Sequence, residues 1–254
     1  MNNCRLYLIS PPAIELSHFS TTLKEAFDGG DVGAFQLRLK NAGDDEIMRA
    51  AEVLMPVCLE RGVAFILNDR PDLAVKYGAD GVHLGQDDFI SSPSPFQGEG
   101  GGEGSVYLAL PSPCPLPERE RGNKQTLADV RKMLGKDAVI GVSCHDSRHL
   151  AMEAGEDGAD YVAFGAFYPT TSKSPQALAR YGIPDPSILN WWQTYMVLPC
   201  VAIGGINPQN CLPLVQAGAD FIAVIQAVWN HPQGAKKAVE EFNEVISTGN
   251  ELSI

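Results

Sequence analysis

The sequence contains few basic residues. Lysine and arginine together number 19, against 31 aspartates and glutamates, and the formal net charge is −12 at pH 7. A chain this acidic repels phosphate backbones and anionic lipid headgroups, so we expect it to bind neither nucleic acid nor membranes through general charge attraction. An anionic small-molecule substrate therefore requires a local cluster of basic side chains.

Cysteine pairs and long apolar runs are also missing. The 6 cysteines are scattered, with no C-x-x-C pair and no zinc-finger spacing, which is typical of a reducing compartment. No apolar run approaches the roughly 18 residues of a membrane-spanning helix. The first one, residues 4–10, is too short for a secretory signal and is followed by Pro11 and Pro12. We expect a soluble, cytoplasmic protein.

Short apolar runs that end in polar or glycine-rich residues alternate with amphipathic helical stretches along the chain. This pattern predicts eight strands separated by about eight helices. It favours the α/β class and one (β/α)8 TIM barrel as a single domain over residues 1–254, a usual length for that fold. The predicted strands are residues 4–10, 33–39, 63–68, 81–85, 139–143, 161–165, 200–205 and 221–226.

Residues 91–124 break this alternation. The segment is rich in proline, glycine, serine and glutamate and has the period of neither a helix nor a strand. We interpret it as a Pro/Gly-rich insertion between the fourth strand and the fourth helix. Its composition favours a disordered surface loop. A lid over the reaction site is the alternative, because the segment follows Asp88 at the end of the barrel where such folds carry out chemistry.

Two aspartates follow neighbouring predicted strands. Asp69 comes after the third strand, next to Asn68, and Asp88 comes after the fourth. Adjacent parallel strands lie about 4.8 Å apart, so the two carboxylates can share one hard cation. Mg²⁺ suits this ligand set, with substrate phosphate oxygens completing its coordination. The alternatives are an N-cap role for Asp69 in the helix that begins near Pro71 and a turn role for Asp88.

The second predicted strand ends with basic residues. Gln36, Arg38 and Lys40 alternate with Leu37 and Leu39, so the period of two places all three polar side chains on one face. Arg38 and Lys40 then form a basic pair at the barrel mouth. The alternative is an ordinary exposed strand end.

Two later loops have residues that bind phosphate in other proteins. The loop after the sixth strand contains, in order, Thr170, Thr171, Ser172 and Lys173. Their hydroxyls and ammonium group can donate to a phosphate, although such runs also occur in plain surface turns. Gly204 and Gly205 follow the seventh strand, where backbone N–H groups often bind phosphate. A turn that needs glycine only for its dihedral angles is the alternative.

Six sequence blocks resemble those of the thiamine-phosphate synthase family, in the same order. The resemblance covers essentially the whole barrel apart from the insertion and the last few residues. The blocks are FQLRLK (35–40), LNDRPDLA (67–74), ADGVHLGQDD (79–88), IGVSCH (140–145), GADYVAFGAFYPTTSK (158–173) and VAIGGINPQN (201–210).

The resemblance implies a role for individual residues. We expect from it that the pyrimidine diphosphate substrate binds at Gln36, Arg38, Lys40, Asn68, Ser143 and Lys173. By the same resemblance, Mg²⁺ is expected at Asp69 and Asp88. The thiazole phosphate is expected at Thr170, Thr171, Ser172, Gly205, Ile225 and Gln226. The residues implied in catalysis are Arg38, Lys40, Lys173 and Ser143.

The implied reaction joins 4-amino-5-hydroxymethyl-2-methylpyrimidine diphosphate to hydroxyethyl-methylthiazole phosphate. The products are thiamine monophosphate and pyrophosphate. Mg²⁺ and basic side chains stabilise the departing pyrophosphate, and the electron-rich ring carries the positive charge. This dissociative step needs no protein nucleophile. We therefore interpret His83 and His145 as core or supporting residues rather than acid–base groups.

The chain departs from the family pattern at four places. Ser172 replaces a common threonine and keeps its hydroxyl, Gln226 replaces a serine, and Ala166 replaces a frequent proline. The insertion after Asp88 is the most serious departure, because it can displace a metal ligand.

Two other functions are compatible with this pattern. A thiazole tautomerase shares much of it but needs no metal-bound diphosphate, and the combination of Arg38, Lys40, Asp69 and Asp88 favours the synthase. A non-catalytic barrel that binds phosphate ligands is the other alternative. Trp191, Trp192 and Tyr195 fall in one helix as core or contact residues, which leaves a homo-oligomer open.

Overall fold

The computed structural model describes residues 3–85, 89–90, 125–170 and 182–252. The strands within these ranges are β1 (Arg5–Ile9), β2 (Val32–Leu37), β3 (Ala64–Asn68), β4 (Gly81–Leu84), β5 (Phe89–Ile90), β6 (Gln125–Thr126), β7 (Val139–His145), β8 (Tyr161–Phe164), β9 (Cys200–Ile203) and β10 (Phe221–Val224). Eight of them form a closed parallel barrel in the order β1, β10, β9, β8, β7, β4, β3, β2. The predicted TIM barrel of the α/β class is confirmed.

Helices connect the barrel strands and cover their outer faces. The helices of the described residues are α1 (Leu16–Phe27), α2 (Asp44–Glu60), α3 (Pro71–Tyr77), α4 (Leu127–Leu134), α5 (Arg148–Glu156), α6 (Ser187–Tyr195), α7 (Leu212–Gln216), α8 (Gln226–Trp229) and α9 (Ala235–Leu252). None of them is long and apolar enough to cross a bilayer. In α6, Trp192 is buried and its indole N–H donates to the Leu198 carbonyl at 2.7 Å, whereas Tyr195 is exposed.

Alternate side chains of each strand enter two separate cores. One set packs between the barrel and its helices, and the other fills the barrel interior. Small residues are frequent in the interior, including Ala34, Ala163 and Ala223. They leave room for two large polar rings, Tyr7 and Tyr161, near the middle of the barrel. The interior is therefore packed but contains hydroxyl groups.

Most barrel strands match the predicted ranges to within one or two residues, and two of the differences affect the site. β2 ends at Leu37 instead of residue 39, so Arg38 and Lys40 follow the strand. β7 continues to His145, and its register against β8 shifts between Ser143 and His145. Such a bulge adds a residue to one strand and reorients the side chains beside it.

A small parallel sheet, which the sequence pattern did not predict, lies outside the barrel. In it, β5 pairs with β6, with Phe89 opposite Gln125 and Ile90 opposite Thr126. The sheet therefore brings together the two chain ends that flank residues 91–124. The insertion itself lies outside the described residues, so the prediction of a disordered loop stays a prediction.

Candidate active site

A cleft of about 610 Å³ opens at the carboxyl ends of the barrel strands. This is the end of the fold at which (β/α)8 barrels bind substrates, and the volume suits small molecules. Nine of the predicted site residues line it: Gln36, Arg38, Asn68, Asp69, Ser143, Thr170, Gly205, Ile225 and Gln226. The structure thus gathers residues that lie up to 190 positions apart in the chain.

Asp69 is held at the edge of this cleft by its own backbone and by β4. Its φ is 57°, in the left-handed region, and its amide donates to the His83 carbonyl at 2.9 Å. Its carboxylate accepts hydrogen bonds from the Gly85 amide at 2.9 Å and from the Asn68 side chain. Helix α3 is not capped by Asp69, because its N-cap is Arg70 and no side chain accepts there. The N-cap alternative is therefore wrong for Asp69.

Gln36 and Arg38 enter the cleft from the end of β2. The Gln36 side-chain amide donates to the Asn68 side-chain oxygen at 2.6 Å, which joins the ends of two neighbouring strands. Buried Ser10 accepts from the Arg38 amide at 2.8 Å and fixes the backbone where β2 ends. Within the described residues, no carboxylate pairs with Arg38. Its guanidinium group is therefore suited to an anionic ligand.

Lys40 is not among the residues that line the cleft. Its backbone amide donates to the Pro12 carbonyl at 2.9 Å, in the loop that follows β2. The strand alternation that predicted a shared face for Arg38 and Lys40 stops at Leu37. The structure therefore brings Arg38, but not Lys40, into the wall of the cleft.

Ser143 lies at the bulge of β7, and His83 lies on the neighbouring strand. The Ser143 hydroxyl and His83 Nε2 are 2.9 Å apart. His83 lines the cleft beside Ser143. His145 has a φ of 55° and does not line it. The interpretation of His83 as a supporting residue agrees with these contacts.

The opposite wall is built by the loops after β8, β9 and β10. Thr170 and Pro169 lie against the turn that contains Gly204 and Gly205. Gly205 has a φ of +65°, and a Cβ there would lie 2.5 Å from the Pro169 carbonyl oxygen. Glycine is thus required both by the turn and by close packing. Ile225 and Gln226 complete this wall.

Four predicted site residues lie outside the described residues: Asp88, Thr171, Ser172 and Lys173. Of the predicted aspartate pair, the structure therefore describes Asp69 and not Asp88. Among the residues that the structure describes, no group of three or more His, Cys, Asp or Glu side chains is arranged to hold a metal ion. Asp69 has each carboxylate oxygen in one hydrogen bond, which leaves lone pairs for a hard cation such as a divalent ion.

Sequence reasoning missed two tyrosines and a serine near the cleft floor. The Tyr7 hydroxyl donates to the Gln36 side-chain oxygen at 3.3 Å and lies 3.0 Å from the Tyr161 hydroxyl. Ser10 anchors Arg38 as described. The alternation of β1 and β8 was a signal that both tyrosines point inward, but their mutual contact depends on a barrel register that only the structure supplies.

Comparison with known proteins places the chain in one family. Residues 6–92 and 122–228 match the family described as thiamine monophosphate synthase. The chain is 51% identical over 246 residues to the thiamine-phosphate synthase of Rhodospirillum centenum, covering 97% of this chain and 99% of that one. It is 41% identical over 249 residues to that of Hyphomonas neptunium, covering 96% and 94%.

A solved structure agrees with these relatives. The thiamine phosphate pyrophosphorylase of Pyrococcus furiosus superposes with a TM-score of 0.72 at 27% identity, covering 98% of both chains. The family match, the near full-length relatives and the shared barrel all agree. The chain therefore belongs to the thiamine-phosphate synthase family, whose members are enzymes that make thiamine monophosphate.

Proposed function

We propose that the cleft joins the pyrimidine diphosphate and the thiazole phosphate in a Mg²⁺-dependent reaction that releases pyrophosphate. Membership of the family implies small-molecule substrates and is consistent with a divalent metal ion. The observation that carries the proposal is the joint presence, in one cleft, of Arg38, Asp69 and an uncharged polar floor. This combination suits an anionic leaving group attached to a neutral ring.

The pyrimidine diphosphate occupies the side of the cleft formed by β2, β3 and β7. Gln36, Asn68 and Ser143 offer amide and hydroxyl groups to the ring. Arg38 contacts the diphosphate, and its fork of N–H donors matches phosphate oxygens. Lys40 and Lys173 supply further positive charge in this proposal.

Asp69 and Asp88 hold Mg²⁺ in this proposal. The carboxylate of Asp69 borders the cleft and retains lone pairs, and oxygen ligands are what Mg²⁺ prefers. When bound, the ion neutralises negative charge that develops on the departing diphosphate. The Gly85 amide and the Asn68 side chain orient Asp69, so its position does not depend on the metal.

The thiazole phosphate occupies the opposite wall. Thr170, Gly205, Ile225 and Gln226 line that part of the cleft. Thr171 and Ser172 add hydroxyl donors in this proposal. Gln226 replaces the serine of the family pattern in this proposal, so a backbone N–H or its side-chain amide takes the place of the hydroxyl contact.

The chain contributes binding and charge stabilisation rather than covalent catalysis. The bond between carbon and the diphosphate oxygen breaks, and pyrophosphate leaves with the electron pair. The thiazole nitrogen then forms a bond to the same carbon with its lone pair. Arg38, Lys40 and Lys173 stabilise the leaving group, and Ser143 holds the ring while it carries positive charge. No protein nucleophile takes part.

The proposal also covers the domain organisation, the location and the oligomeric state of the protein. Residues 1–254 form a single domain in which residues 91–124 are an insertion that is not needed for the reaction. A cytoplasmic location agrees with five buried cysteines that form no disulfide in the described residues. The enzyme acts on its small substrates alone or as a homo-oligomer.

Asp69→Asn tests the metal part of the proposal. Asparagine keeps the size of the side chain and tolerates the left-handed backbone but removes the charge. We expect the Mg²⁺ concentration for half-maximal turnover to rise by about tenfold or more. Asp72→Asn is the matched control, because Asp72 pairs with Arg70 outside the cleft. An unchanged Mg²⁺ requirement in Asp69→Asn would contradict the assignment.

Titration calorimetry with the thiazole phosphate, together with turnover assays with and without Mg²⁺, distinguishes the synthase from the two alternative functions. A non-catalytic binder takes up the thiazole phosphate but forms no product when both substrates and Mg²⁺ are supplied. A tautomerase isomerises its thiazole with EDTA present. Either result would contradict the proposed synthase reaction.

A further inference from the structure

A continuous chain of hydrogen-bonded side chains runs through the barrel interior at the floor of the cleft. It links, in spatial order, Ser143, His83, Tyr161, Tyr7, Gln36, Asn68 and Asp69. His83 Nε2 is 2.9 Å from the Ser143 hydroxyl, and His83 Nδ1 is 2.9 Å from the Tyr161 hydroxyl. Both ends of this hydrogen-bond chain, Ser143 and Asp69, therefore line the cleft.

The carboxylate at one end sets the direction of the first links. An ionised carboxylate only accepts hydrogen bonds, so the Asn68 amide group must turn its NH₂ toward Asp69 and its oxygen toward Gln36. Gln36 must then donate to Asn68 with its own NH₂, which leaves the Gln36 oxygen facing Tyr7. Tyr7 consequently donates its single hydroxyl proton to Gln36.

The direction continues through the tyrosines and the imidazole. Because the Tyr7 proton is committed to Gln36, Tyr161 donates to the Tyr7 oxygen. Tyr161 then accepts from His83, so the proton of the neutral imidazole lies on Nδ1. His83 Nε2 is therefore an acceptor, and the Ser143 hydroxyl donates to it. Every donor in the chain points toward Asp69.

Burial makes this arrangement restrictive. The exposed fractions are 2% for Gln36, 4% for Tyr7, 7% for Tyr161 and 8% for His83, so bulk water does not replace a lost partner. Burial also raises the pKa of both phenols, Tyr7 and Tyr161, so they keep their protons. Each hydroxyl thus has one proton to donate and one neighbour to receive it.

Packing holds the central ring in place. Tyr161 stacks on His83 with ring centroids 5.6 Å apart and an interplanar angle of 28°. The ring lies over Gly141, where a Cβ would come within 1.9 Å of the Tyr161 ring. A glycine at position 141 is thus the condition for placing the Tyr161 hydroxyl between His83 and Tyr7.

We propose that Tyr7, Tyr161 and His83 are positioning residues that fix Ser143 as a hydrogen-bond acceptor toward the substrate ring. The Ser143 proton is directed to His83, so its lone pairs face the cleft. A ring with an amino group supplies the matching N–H donor, whereas its oxo analogue presents an acceptor. The hydrogen-bond chain therefore favours substrates whose ring has an amino group. This inference rests on the proposed function for the identity of the substrate.

The tautomer of His83 tests the chain without any activity measurement. In ¹⁵N spectra of imidazole-labelled protein, at a pH above the ordinary histidine titration range, we expect His83 to carry its proton on Nδ1. Free histidine favours Nε2, and His83→Gln assigns the signal among the 5 histidines. A wild-type His83 protonated on Nε2 would overturn the proposal.

Tyr7→Phe gives a second reading of the same spectrum. Without the Tyr7 oxygen, Tyr161 can donate to His83 Nδ1, so we expect the imidazole proton to move to Nε2. Tyr168→Phe is the control, because the Tyr168 hydroxyl donates to the Asn210 carbonyl outside the chain. An unchanged His83 tautomer in Tyr7→Phe would contradict the derived direction.

Substrate discrimination tests the consequence for Ser143. For wild type, Tyr161→Phe and Tyr168→Phe, kcat/KM would be measured with the aminopyrimidine diphosphate. The preference is then the ratio of the Kd of its oxo analogue to the Kd of the amino compound. We expect the preference for the amino compound to fall by about tenfold in Tyr161→Phe alone. An unchanged preference would refute the specificity role. If wild type forms no thiamine monophosphate, the proposed function fails. The His83 tautomer still shows whether the hydrogen-bond chain runs in the derived direction.

Discussion

Replacement of Gly205 by alanine tests whether the turn after β9 shapes the cleft. Gly205 has a φ of +65°, and the added Cβ would lie 2.5 Å from the Pro169 carbonyl oxygen and 2.8 Å from the Tyr168 carbonyl carbon. Both neighbours are backbone atoms, so rotation of a side chain does not relieve the contact. The loop that contains Pro169 and Thr170 must move away from the cleft wall.

The chain offers a matched control at Gly62. Its φ is +64°, almost the same, but nothing lies within 4 Å of an added Cβ. The left-handed backbone costs an alanine about 1–2 kcal/mol at either position. The forced contact adds about 1–3 kcal/mol at Gly205 only. The difference in the free energy of unfolding between the two variants therefore measures the contact.

Urea unfolding and turnover of the two variants provide the assay. We expect Gly62→Ala to lose about 1 kcal/mol of stability with full turnover, and Gly205→Ala to lose more and to show a raised KM for the thiazole phosphate. Equal destabilisation and equal KM in both variants would refute the view that Gly205 packs against the phosphate loop.

Three other predictions follow from the site and the core. Arg38→Ala should lower kcat about 10²-fold, whereas Arg61→Ala, at a surface ion pair, should not, and full turnover in Arg38→Ala would remove it from the mechanism. Replacement of residues 91–124 by a flexible linker of about a dozen residues, enough for a parallel connection between β5 and β6, should retain turnover, and a large loss with the fold intact would refute a passive insertion. Burial raises the pKa of Cys144 and Cys200 to about 12 and that of Cys211 to about 11, so thiolate forms only as pH rises toward those values. In a Cys114→Ser background, native protein should therefore resist thiol reagents at neutral pH until it is unfolded, and rapid labelling of the native state would contradict the packing.

The barrel was predictable because its strands have a strong local signal. Runs such as residues 63–68 and 221–226 are apolar, short and bounded by polar or glycine residues, and observed strands lie at all eight predicted places. The end of β2 was harder, because Gln36, Arg38 and Lys40 continue the alternation of side chains beyond Leu37. The strand ends where the Arg38 amide donates to the Ser10 hydroxyl. This contact joins the residues that follow β1 and β2, and local sequence does not encode it.

The cleft was predictable residue by residue only where a family motif marked it. Asp69 shows the limit of local reasoning, because an N-cap and a cleft carboxylate are equally compatible with the sequence LNDRP. The decision depends on Gly85, whose amide reaches Asp69 across the gap between β3 and β4. The contact of Tyr7 with Tyr161 likewise depends on the barrel register and on the space that Gly141 leaves.

The most direct test of the account is a coupling assay with the full chain, both substrates and Mg²⁺, in which both products are measured. We predict one pyrophosphate released for each thiamine monophosphate formed, and no turnover once EDTA removes the ion. Product formation that persists in EDTA, or the absence of thiamine monophosphate with Mg²⁺ present, would contradict it.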